Sequence, residues 1–255
     1  MNSWEYALAY EPWIFEVAFV LFGLCVGSFL NVCIYRMPRG LSIVSPGSFC
    51  PKSGAPLKWW ENIPVLSFLM LAGKGRVSGQ KISWQYPAVE LLTGIAFWLL
   101  WKAFGATPTL ALAYAAMTSL FIAGAFIDWQ FKIIPDSITI GGALAGLVFA
   151  FITPQLFGYG AIEWNLTAGL SSLAQSAQGL LIGSGVVLWV AMIAELVLRK
   201  EAMGFGDVKL MGAIGAFLGW QGALFALFGG AFVGLAVVGV LSLTEKLAGK
   251  KEKFF

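Results

Sequence analysis

The sequence predicts an all-α polytopic membrane protein with about seven transmembrane helices and one large cytoplasmic loop between the first two. Three observations predict it. Of 255 residues, 59% are hydrophobic and 11% charged, whereas an ordinary soluble domain carries about 25% charge. Mean hydropathy is +0.82. Apolar runs recur along the chain, several of them approaching the roughly 20 residues needed to cross about 30 Å of hydrocarbon.

The first run, 13–34, lacks a basic region before it and is long enough to span, so no cleavable signal peptide is expected. Further runs lie at 86–104, 108–127, 137–153, 177–198, 208–219 and 222–244. The sixth is short for a span and rich in Gly and Ala. It fits either a tightly packed short helix or half of a hairpin turning at Gly219-Trp220-Gln221-Gly222. An eighth span is expected if 163–176 also enters the bilayer. The expected divisions are a first transmembrane helix within 1–35, a cytoplasmic loop region over 36–85, and a transmembrane core with a basic tail over 86–255.

Basic residues concentrate in cytoplasmic loops. Segment 35–85 holds Arg36, Arg39, Lys52, Lys58, Lys74, Arg76 and Lys81, Lys132 lies in a later loop, and Arg199, Lys200 and Lys209 surround a third. The tail adds Lys246, Lys250, Lys251 and Lys253. Only Lys102 falls on the other side, and residues 1–12 hold Glu5 and Glu11 without a basic residue. The N-terminus is therefore expected outside and the C-terminus in the cytoplasm. The basic tail reads as a topology anchor, so lipid is the expected environment and no nucleic-acid partner is expected.

The chain has no histidine, which excludes His-based acid–base chemistry and His-ligated metals. Cys25, Cys33 and Cys50 are odd in number and without paired spacing, so they set up no disulfide framework.

Of the 13 acidic residues, five lie inside or at the edges of apolar segments: Glu90, Asp128, Asp136, Glu195 and Asp207. A charge at membrane depth is costly and marks a functional site by default. Asp128 ends the run SLFIAGAFI and Asp207 stands in GFGDVKL, so both fall at the cytoplasmic face on different helices. Neighbouring carboxyls share protons as a pair. One then activates water while the other polarises a peptide carbonyl. The plainer reading makes both aspartates interfacial caps or ion-pair partners of Lys132 and Lys209. Gly204 and Gly206 permit close backbone approach near Asp207. Asp136 reads as a cap of the fourth span, and Glu195 as a helical pair with Arg199. Glu90 reads as a partner of Arg36 or Lys81, or as a substrate-amine contact.

Five stretches in order resemble the type IV prepilin peptidase family: GSFLNVCIYRMPRG (27–40), NIPVLSFLMLAGKG (62–75), ISWQYPAVELLTG (82–94), IDWQFKIIPDSIT (127–139) and GFGDVKLMGAIGAFLGW (204–220). The resemblance implies a membrane aspartic endopeptidase of the bacterial inner membrane, with its peptidase core in 86–255. Such an enzyme removes the basic leader of type IV prepilins or type II secretion pseudopilins after a glycine. Many members then methylate the new N-terminus with S-adenosylmethionine. Asp128 and Asp207 match the family's catalytic aspartates, Gly204 and Gly206 its G-x-G, and Lys209 its lysine. Glu61 and Glu90 are the expected contacts for a basic leader.

The sequence departs from the family in its loop. Many members carry two C-x-x-C pairs there, but here those positions read Cys50, Ser53, Gly75 and Ser78. One thiolate cannot close a tetrahedral zinc site, so no zinc is expected. Trp59, Trp60, Pro64 and Trp84 supply apolar mass to hold the loop instead. Other readings stay open: a G-x-G-D intramembrane protease with other substrates, a proton- or cation-coupled transporter, or an idle assembly scaffold.

Overall fold

In the computed structural model the described residues are 12–50, 53–159, 164–200 and 203–247. Glu5, Glu11, Lys52, Lys250, Lys251 and Lys253, used above for orientation and charge, lie outside them. The elements are α1 (Pro12–Arg36), a one-turn α2 in the loop (Leu66–Met70), α3 (Gln85–Phe104), α4 (Pro108–Phe131), α5 (Asp136–Ile152), α6 (Leu166–Leu198) and α7 (Phe205–Leu247). Among the described residues, five stretches are long and apolar enough to cross a membrane: Trp13–Arg39, Gln85–Phe104, Pro108–Phe131, Leu166–Leu198 and Phe205–Val240. The shorter apolar α5 has 17 residues, or about 25 Å at 1.5 Å per residue.

α1 and α3 run side by side. A Cβ on Gly27 would lie 2.7 Å from the Glu90 Cα, so only glycine allows this approach. At their far end Phe15 stacks on Trp101 with centroids 6.2 Å apart, and Lys102 pairs with Glu16. The one basic residue set apart by the sequence thus meets the start of α1.

α6 and α7 form the other tight pair. A Cβ on either Gly179 or Gly215 would collide with the other's carbonyl oxygen. Small residues let membrane helices approach this closely, and polar side chains then bond across the contact. Ser176 Oγ donates to the Ala216 carbonyl at 2.6 Å.

α7 is broken at Gly219, whose φ of 70° and ψ of 178° are not helical. Gly183 faces both Met211, before the break, and Ala223, after it. The chain therefore turns back at Gly219, and the expected runs 208–219 and 222–244 are the two arms of α7. Residues from Leu166 to 176 run on into the expected span 177–198 as one helix rather than making a separate element. From Leu166 onward, residues 163–176 are the first turns of α6, begun by Asn165, whose Oδ1 accepts from the Ala168 amide at 2.8 Å. Ser172 and Ser176 are buried there, Ser176 against α7, and their polarity hides the helix from a hydropathy reading.

Candidate active site

The last turn of α4 carries Asp128. Lys132 closes that helix in the left-handed region (φ 56°), returning its amide to the Asp128 carbonyl at 2.9 Å. Residues 132–135 then lead into α5. Asp207 lies in the first turn of α7, where its amide donates to the Gly204 carbonyl at 3.0 Å. A carboxylate there is favoured by the helix dipole.

The short 132–135 connection brings these two helix ends together. A Cβ on Gly206 would sit 3.6 Å from Ile134 Cβ, so the GFGD turn lies against that connection. Lys209 Nζ, one turn further on, lies 2.6 Å from Asp136 Oδ1. Asp128 and Asp207 are near enough for the charge on one to act on the other. Asp128 is half-buried and Asp207 exposed.

The lysines do not neutralise this pair. Lys209 is taken by Asp136, and Lys132 Nζ lies 5.7 Å over the Trp129 ring. Among the described residues neither aspartate holds an ion pair. Asp136 is not the cap of α5 either. Pro135 occupies that position, and the Asp136 carboxylate serves Lys209. Arg199 meets Glu195 through backbone, its amide on the Glu195 carbonyl at 2.8 Å. Both site aspartates stand at helix ends, not mid-helix, and they share one end of the bundle.

Glu61 and Glu90 do not join this pair. Both line a separate cavity between α1, the start of α3 and the loop. Glu61 accepts from the Lys58 amide at 2.7 Å and pairs with Arg76 at 3.1 Å. Its side chain is 4% exposed. Burial alone pushes its carboxyl up, but the Lys58 amide and the Arg76 guanidinium outweigh it and hold it below the ordinary value. Glu90 accepts from the Val65 amide at 2.7 Å. Arg36, its expected partner, spends its guanidinium on the carbonyls of Ser42, Pro46 and Gly47.

The four loop positions where cysteine pairs were sought form two similar turns. Gly54 donates to the Cys50 carbonyl and Gly79 to the Gly75 carbonyl, each at 2.8 Å. Cys50 Sγ lies 3.9 Å from Ser78 Oγ across them. The side chains at these positions are one thiol and two hydroxyls, which fall short of the four N/S ligands a structural zinc takes.

Two features had no sequence signal: the Lys209–Asp136 pair spans 73 positions, and nothing local marks the cavity. Asn31, on its wall, lies in the GSFLN stretch, where no local pattern marks it.

Comparison with known proteins gives two family matches. The bacterial peptidase A24 N-terminal domain matches residues 21–104, and the type IV leader peptidase family matches 115–239. Several curated relatives carry the name prepilin leader peptidase/N-methyltransferase. One from Myxococcus xanthus (strain DK1622) is 40% identical over 230 residues, covering 90% of this chain and 64% of its own length. One from Klebsiella pneumoniae is 38% identical over 224 residues, covering 85% and 90%. One from Neisseria gonorrhoeae is 32% identical over 259 residues, covering 92% and 85%. The chain thus spans just under two thirds of the Myxococcus protein and most of the other two. No solved structure gives a significant match.

Proposed function

This chain belongs to the type IV leader peptidase family, a family of membrane aspartic proteases, and on that premise we propose that it removes the basic leader of type IV prepilins or type II secretion pseudopilins. Asp128 and Asp207 are the catalytic pair. One observation carries the assignment. The Lys209–Asp136 tie and the Gly206–Ile134 contact gather two carboxylates at one end of the bundle without pairing either to a base.

Two neighbouring carboxyls hold one proton between them at working pH. The ionised member takes a proton from water, whose oxygen attacks the carbonyl carbon of the glycine that ends the leader. The protonated member donates a hydrogen bond to the carbonyl oxygen, and a proton then reaches the departing amine. Gly204 and Gly206 keep the approach to Asp207 open, and Lys209 positions its helix. The pilin's apolar segment stays in the bilayer while its leader lies at the basic, cytoplasmic face. The cut leaves a new N-terminal amine, which the enzyme methylates with S-adenosylmethionine. The proposed setting is the bacterial inner membrane, with the N-terminus outside.

The test uses purified enzyme in nanodiscs and a synthetic prepilin with a basic leader and a junction glycine, with products read by intact mass. Loss of the leader, abolished by Asp128→Asn and by Asp207→Asn, is expected. Cleavage that survives both substitutions overturns the assignment.

A further inference from the structure

Within the loop, residues 63–72 read IPVLSFLMLA, ten residues with one polar side chain and no charge. A run of that length is too short to span, and it suits a buried or an interfacial segment. The structure shows which. Leu66, Leu69 and Met70 stand at i, i+3 and i+4 on the one-turn α2, so they share a face. They are 56%, 65% and 69% exposed. Phe68, on the other side, is buried and meets Trp84 with ring centroids 4.8 Å apart. An apolar face this open inside a loop marks a contact with lipid or with another protein.

The level at which α2 sits decides between them. α3 has 20 residues, or about 30 Å at 1.5 Å per residue, which is the thickness of the hydrocarbon core. The bilayer therefore takes the whole length of α3. Its first turn is fixed to α1 by Asn31, whose Nδ2 donates to the Tyr86 carbonyl at 3.0 Å and whose Oδ1 is left unpaired. Glu90 lies five residues in, about 8 Å below the start of the helix. Helical side chains lean toward the N-terminus, here toward the loop. The Glu90 carboxylate accepts from the Val65 amide at 2.7 Å. That bond holds the start of α2 between the membrane surface and the depth of Glu90. In the next turn α3 itself presents Leu91, Leu92 and Ile95 outward. At this level the surrounding medium is lipid.

The backbone of the segment is suited to that medium. Near hydrocarbon each polar main-chain group needs a partner within the protein. The amides of Leu66, Ser67, Leu69, Leu71, Ala72 and Gly73 all bond carbonyls within 63–69. Val65, with φ 60°, turns its amide away from this set, and Glu90 takes it. A buried carboxylate on a spanning helix is costly, and here it satisfies the donor that α2 leaves over. The flanks fit as well. Trp59 and Trp84 are exposed at 81% and 76%, and such rings settle at the headgroup level. Lys58 and Lys74 bracket the segment and are exposed, as basic residues beside an interfacial apolar face are.

We propose that α2 is an interfacial anchor, its Leu66–Leu69–Met70 face seated among the phospholipids of the leaflet at the loop end of the bundle. Segment 63–72 then belongs to the membrane and not to the aqueous part of the loop, and Glu90 is the tether that fixes its depth. The anchor does not depend on the peptidase reading.

The test uses the full chain in nanodiscs of phosphatidylethanolamine and phosphatidylglycerol, with a diazirine partway along the acyl chain of one lipid. After irradiation, modified peptides are read by mass spectrometry. Lipid adducts on Leu66, Leu69 or Met70 are expected, with none on 75–79. Adducts confined to the spanning helices overturn the proposal. A nitroxide at Met70→Cys, with Cys25, Cys33 and Cys50 each replaced by alanine, gives a second reading. It should be several-fold more accessible to oxygen than to a water-soluble nickel complex, and a nitroxide at Val77→Cys the reverse. Equal access of the nickel complex to both positions overturns the anchor. So does spin–spin coupling between Met70→Cys labels on two chains, which would mean that a second copy covers the face. A label that leaves water only when a prepilin is added also overturns it, making the face a substrate seat. If the cysteine-free chain fails to fold, the adducts on the unsubstituted chain decide.

Discussion

Lys209 Nζ lies 2.6 Å from Asp136 Oδ1, joining the start of α7 to the first residue of α5. The pair is partly exposed, so its contribution to stability is small, about 0–1 kcal/mol. Its effect is positional, because each partner sits within eight residues of a catalytic candidate. Lys209→Met is expected to lower kcat for leader cleavage by roughly tenfold with little change in thermal stability. Asp136→Asn should act alike, and the double variant should be no worse than either single one. Additive losses in kcat would show that the two residues act separately.

As the proposed catalytic pair, Asp128 and Asp207 are expected to act as a unit. Each Asn substitution is expected to cost at least about 10³-fold in kcat/KM, and the double substitution little more. Leader cleavage over a pH series should be bell-shaped, since the reaction needs one carboxyl ionised and one protonated. A profile flat from acid to alkaline pH would contradict a shared proton.

Glu61 and Arg76 clamp the loop. The Glu61 carboxyl sits below its ordinary value of about 4.3, so its contribution is present above that value and lost as pH falls through the lower, folded one. Protease protection of residues 74–81 should stay level around neutrality and drop only in acid. Arg76→Gln should expose the same segment at neutral pH while leaving leader cleavage measurable. Hydrogen exchange resolves the segment directly.

Gly179 and Gly215 leave no room for a side chain between α6 and α7. Gly215→Val is expected to destabilise by about 1–3 kcal/mol, by forcing the helices apart. The reading is the unfolding midpoint in detergent. Gly219→Ala should cost about 1–3 kcal/mol for its backbone conformation alone, and a neutral result there would mean the turn relaxes.

How much of this the sequence carried depends on the range of each contact. Asp128 and Asp207 could be placed at one end because loop charge and helix count are local properties summed along the chain. The turn at Gly219 was legible for the same reason, since Gly219-Trp220-Gln221-Gly222 interrupts an apolar run. The start of α6 was not legible. Ser172 and Ser176 lower hydropathy there, yet both are buried, and Ser176 is bonded to Ala216. Periodicity cannot distinguish a serine facing water from one facing a helix. Glu61 read as a leader contact because it is acidic and sits in a basic loop. Its bond to Arg76, 15 residues away, is set by the way the loop folds. The unpaired Asn31 oxygen is a property of three segments meeting, and no single stretch announces it.

The loop's 75–79 turn closes on itself through a backbone bond, and a carboxylate and a guanidinium tie it to the 59–62 turn. Loops fastened by thiolates surrender to chelators and oxidants, because metal and thiol chemistry is their folding energy. A guanidinium keeps its proton at any physiological pH and has nothing to oxidise. The Glu61–Arg76 fastening therefore holds its part of the loop by charge and hydrogen bonds that neither a chelator nor peroxide removes.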